Sequence, residues 1–228
     1  LLIFSGFFSD AQIIRKYSNE FLNIGAGARG LAMGGAVISN QNDVYSPMWN
    51  PAGLIDIDRD WQGAAMHAEY FESIAKYDYI AFAKPLDNNG GVFAISVVRL
   101  GVDNILNTTQ MIDSEGNIDY DKISSFSQSD YAALLSYAFR PGSHRLSVGV
   151  NAKMVYRNVG KFASGYGFGF DLGVLYNADN GINYGAMLRD ATTTVNFWTV
   201  NQDELSAVVN GEEFNPAPKD KMEITMPK

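Results

Sequence analysis

Residues 145–157 read Arg-Leu-Ser-Val-Gly-Val-Asn-Ala-Lys-Met-Val-Tyr-Arg, and residues 165–177 read Gly-Tyr-Gly-Phe-Gly-Phe-Asp-Leu-Gly-Val-Leu-Tyr-Asn. In the first stretch every even position is apolar: Leu146, Val148, Val150, Ala152, Met154 and Tyr156. Its odd positions, Val155 excepted, are polar or glycine. In the second, Tyr166, Phe168, Phe170, Leu172, Val174 and Tyr176 alternate with Gly165, Gly167, Gly169, Asp171, Gly173, Leu175 and Asn177. A helix would gather Leu146, Gly149, Val150 and Lys153 on one face, which is no apolar stripe. The period is two, and both stretches are strands.

Weaker alternation places further strands at 61–70, 74–86, 91–101, 128–140 and 182–190. Turn-forming runs separate some of them: Asp87-Asn88-Asn89-Gly90, Pro141-Gly142-Ser143-His144 and Ala178-Asp179-Asn180-Gly181. Short links fall at 71–73 and 160–164, and long polar loops at 102–127 and 191–221. Tight turns follow the second, fourth and sixth strands, so one end of the sheet carries turns and the other carries loops.

Alternation leaves two architectures open, a soluble β-sandwich and a membrane β-barrel. Length separates them. Soluble strands run ~5–6 residues, and the two best here are more than twice that. Tyr166 and Tyr176 share a face; ten residues at ~3.3 Å each make roughly 33 Å of strand. Tilted by ~45°, that spans about 23 Å, close to the ~25 Å band between the aromatic girdles of an outer-membrane barrel. The expected fold is therefore all-β, an antiparallel transmembrane barrel, with the apolar face towards lipid and the glycine-rich face lining a lumen. Lumen-facing Arg145, Lys153, Arg157 and Asp171 are expected to pair across neighbouring strands, or to contact a ligand. Seven strands is an odd count, where single-chain bacterial barrels have an even one, so the barrel at 61–228 reads as incomplete.

The 228 residues carry 17 Lys and Arg against 25 Asp and Glu, a net charge of −8 that argues against a nucleic-acid partner. Absence of cysteine removes disulfides and thiolate zinc sites. No apolar run of ~18 residues offers a spanning helix. The opening Leu1-Leu2-Ile3-Phe4 and Phe7-Phe8-Ser9-Asp10-Ala11 reads as the remnant of a secretory signal peptide over 1–11, cut between Ala11 and Gln12; a buried first strand is the other reading. Met222 to Lys228 reads as an unfinished extended segment, and both ends suggest a fragment of a longer chain.

His67 and His144 lie in different segments with no partner at metal-ligand spacing. Asp113, Glu115, Asn117, Asp119 and Asp121 alternate like a calcium loop, yet Ile118 stands where an EF-hand needs glycine. No G-x-S-x-G nucleophile context occurs, so no catalytic residue, cofactor or metal is assigned and the chain is read as a non-enzyme.

Residues 12–58 form a separate segment. Gly25, Gly27 and Gly30 spell G-x-G-x-x-G, but Gly34-Gly35 interrupts any following helix and Asp43 is too close for the acidic partner of a dinucleotide site. Glycine-rich chain packed on itself is the better use of these residues. The run FLNIGAGARGLAMGGA (21–36), an acidic spacer and WNPAGL (49–54) resemble the start of the PorV/PorQ family of outer-membrane proteins, related in fold to the FadL-type fatty-acid channel. Strand sequences onward to about residue 200 resemble that family too.

The resemblance implies a 14-stranded barrel with the N-terminal segment folded inside as a plug. Gly25, Gly27, Arg29, Met33, Gly34, Gly35, Trp49, Asn50 and Pro51 carry the plug motif, and anchoring is their expected role. It also implies the outer membrane of a Gram-negative, Bacteroidota-like cell, with lipid around the barrel. Its implied role is a type IX secretion component that binds the translocon barrel or secreted cargo, through the loops 102–127 and 191–221. A FadL-like passive transporter of a hydrophobic ligand is the alternative. An apolar pocket beside the plug would favour transport; a polar, occluded lumen would favour partner binding.

Overall fold

The computed structural model describes residues 19–58, 60–86, 90–112, 115–142, 145–201 and Glu204, and the backbone of three later strands at 207–209, 212–214 and 221–225. The signal-peptide reading of 1–11, the cleavage point, residues 12–18 of the plug segment, Asp113, His144 and the last residues of the chain lie outside the described residues.

Antiparallel strand dominates. In chain order the elements are β1 (Gln62–Tyr70), β2 (Ala75–Pro85), β3 (Val92–Asn107), β4 (Ser124–Phe139), β5 (Leu146–Val159), β6 (Ala163–Asn177), β7 (Asn183–Leu188), β8 (Thr194–Val200), β9 (Ala207–Val209), β10 (Glu212–Phe214) and β11 (Lys221–Thr225). β1 to β6 pair each with the next, β7 and β8 both pair with β6, and β11 pairs with β8; β9 and β10 form a separate hairpin. The sheet is curled into a half-barrel. No helix among the described residues is long and apolar enough to cross a membrane, which says nothing of strands.

The alternation resolves into two faces. On β6, Tyr166, Phe168 and Phe170 are 50–53% exposed, and Leu172, Val174 and Tyr176 are 39–45% exposed. Gly165, Gly167, Gly169, Asp171, Gly173 and Leu175 between them are buried. β5 repeats this, with Ser147, Gly149, Asn151, Lys153 and Val155 buried. The aromatic side points outward. The polar, glycine-rich side is covered by residues 19–58, so the core lies between that segment and the sheet rather than between two sheets.

Three expectations are corrected. The loop placed at 102–127 is shorter at both ends: β3 and β4 stay paired out to Asn107 and Ser124, past an irregularity between Val102 and Ile105 where Asn104 has φ 58°. The loop placed at 191–221 contains β8, β9 and β10. Finally, β7 and β8 are two halves of one broken strand along β6. β7 faces residues 172–177 and β8 faces residues 163–168. Chain 189–193 is the interruption, with Asp190 (φ 53°) and Thr193 (φ 62°) left-handed. β11 continues the sheet beyond it, so among the described residues the sheet has eight strands when the broken one is counted once, where the sequence suggested seven.

The β1–β2 turn holds three successive left-handed residues, Phe71, Glu72 and Ser73 (φ 55°, 54°, 69°). None is glycine, and each such conformation costs about 1 kcal/mol or more.

Candidate functional site

Residues 19–58 are short turns strung on sparse anchors. A 3-10 turn (Glu20–Ile24), α1 (Ala28–Ala32), α2 (Ser46–Trp49) and a second 3-10 turn (Pro51–Asp56) follow one another. None is long enough to stand alone in water, so tertiary contacts hold each in place.

Trp49 is the central anchor. It is 7% exposed, and its indole Nε1 donates to the Ala26 carbonyl at 2.7 Å. Gly25, Gly30 and Gly35 surround the ring. A Cβ at Gly30 would sit 2.7 Å from the indole Cε2, and one at Gly35 3.1 Å from Cζ3. Two of the G-x-G-x-x-G glycines, Gly25 and Gly30, thus make room for a tryptophan. At Gly27 a Cβ would meet the Tyr45 ring at 2.9 Å. Tyr45 stacks on Tyr79 of β2 with centroids 5.3 Å apart. Burial, helped by the Asp43 carboxylate, pushes the Tyr45 phenol above its ordinary pKa.

The motif does not act as one unit. Arg29 is exposed and bonds Asn40 within the segment, Met33 is 44% exposed, and Gly34 has open space about it. Asn50 and Pro51 instead dock on the sheet. The Asn50 amide donates to the carbonyls of Ile38 (2.9 Å) and Val174 of β6 (3.1 Å), and its Oδ1 accepts from Ala52 N–H (3.1 Å), capping the Pro51–Asp56 turn. Pro51 lies over Gly149 and Gly173, where any side chain would collide with residues 50–52. Those two glycines let the segment approach the sheet backbone.

Of the four charges expected to face inward, three lie on the side of the sheet covered by residues 19–58. Lys153 Nζ lies 2.7 Å from Asp171 Oδ1 and also pairs with Asp190, with side chains 2%, 5% and 7% exposed. Asp171 accepts from Asn151 and from the Asp190 backbone N–H; Asp190 accepts from Asn19 and Thr194. Arg157 donates to Asn19 Oδ1 at 3.2 Å and lies over the Phe21 and Trp198 rings, 5.7 and 6.0 Å from their centroids. Arg145 is the exception. It precedes β5 in the turn, half exposed, and pairs with Asp179 of the next turn at 2.6 Å. The parity that pointed it inward is lost once the chain leaves the strand.

Sequence reading missed Arg189 and Asp190. Arg189 donates to the Met48 and Leu22 carbonyls and to Asn23, tying the interruption of the broken strand to the segment. Alternation stops at Leu188-Arg189-Asp190, as it would at an ordinary strand end, so the sequence did not mark the break. It also missed a charged group on the outer face. His67 Nδ1 lies 2.6 Å from Asp78, Arg99 donates to Asp78 at 3.0 Å, and Lys76 pairs with Asp103 at 3.0 Å. In the long loop, Asp119 caps Asp121 N–H and pairs with Lys122, an ordinary helix-turn arrangement. Compared with protein-family models and with curated proteins, the chain matches none.

Proposed function

We propose that this chain forms the wall of an outer-membrane β-barrel closed inside by its N-terminal segment, and that it serves type IX secretion by binding the translocon or its cargo. The observation that carries this reading is the reversed polarity of the sheet. Outward positions are apolar or aromatic from Leu146 to Tyr156 on β5 and from Tyr166 to Tyr176 on β6, while most inward positions between them are polar or glycine, among them Asn151, Lys153 and Asp171. A protein in water inverts that order; a barrel in lipid requires it.

The inner side bears on the choice between binding and transport. Beside Asn50 and Trp49 the wall is polar, with Lys153, Asp171 and Asp190 paired to one another and Arg189 bonded to the segment. Towards β1–β4 it is closed by Phe21, Val37, Met48 and Leu54 packed among buried tyrosines, alanines and valines of the sheet. Among the described residues the space between segment and sheet is filled, which supports partner binding over FadL-like transport. Two experiments test the proposal. The membrane-extracted protein should migrate differently on SDS gels with and without boiling. Tagged protein should co-purify a translocon barrel or a cargo carrying a C-terminal signal domain; recovery of neither, from a sample that shows the gel shift, overturns the secretion role.

A further inference from the structure

We draw no further inference here: the strongest candidate, the cavity of about 20 Å³ beside the interruption of the broken strand, lined among others by Asn19, Met48, Lys153, Asp171, Arg189 and Asp190, belongs to the ionic site already described.

Discussion

The Asn50 side-chain amide donates to the Val174 carbonyl at 3.1 Å, joining the N-terminal segment to β6 across 124 positions of sequence. The same amide reaches Ile38, and the Asn50 oxygen caps the turn that follows. Asn50 is fully buried, so its partners have no water to replace it. Asn50→Ala is expected to destabilise the folded protein by about 2–4 kcal/mol, the cost of leaving buried backbone groups unpaired together with a lost cap. Asn50→Asp should be no better, since it removes the donor. Urea unfolding of the protein reconstituted in lipid vesicles measures both.

Trp49 and the glycines around it should behave as one packing unit. Trp49→Ala removes a buried ring and leaves a cavity, expected to cost about 3–5 kcal/mol. Gly30→Ala overfills the same space and should cost about 1–3 kcal/mol, because its methyl would meet the indole. In the double variant Gly30→Ala with Trp49→Leu the glycine penalty should shrink. A double-mutant cycle reads this as a coupling of opposite sign to the single losses; simple additivity would refute the cradle.

Lys153 faces two carboxylates at a buried site. Lys153→Met keeps much of the volume but leaves Asp171 and Asp190 without their cation, and breaking a buried pair from one side costs about 3–5 kcal/mol. Adding Asp190→Asn to Lys153→Met should recover part of that loss. If Lys153→Met alone changes stability by less than ~1 kcal/mol, the network does not hold the segment to the wall.

How far the sequence carries these conclusions depends on the residue. Period-two alternation exposed both faces of β5 and β6, since inward and outward positions there differ in kind: Gly167 against Phe168, Asp171 against Leu172. It also pointed Lys153, Arg157 and Asp171 inward. It failed where geometry departs from the regular strand. Polar residues at 103–107 and 124–127 read as loop although β3 and β4 extend there, because backbone hydrogen bonding is indifferent to side-chain polarity. The break at Arg189–Thr193 was invisible as a bulge, since it depends on left-handed Asp190 and Thr193 rather than on glycine. Arg29 and Trp49 sit in one motif, yet one is on the surface and the other in the core. Spacing could not separate them, because the turns of this segment follow neither helical nor strand period.

Orientation in lipid has its own test on β6. Phe170 lies near the middle of the outward run and Tyr176 at its end, and both are half exposed to whatever surrounds the sheet. Against water, arginine at either position is an ordinary surface change worth about 0.5 kcal/mol or less. Against a bilayer, the cost follows depth: about 2–4 kcal/mol near the midplane and ~0–1 near the interface. Phe170→Arg in lipid vesicles is therefore expected to destabilise the protein by several times as much as Tyr176→Arg, with Phe170→Leu nearly neutral. Urea titration of the three variants distinguishes the cases. A pair of arginine variants that unfold alike, each close to the parent, would place this face in water and remove the basis for a membrane wall.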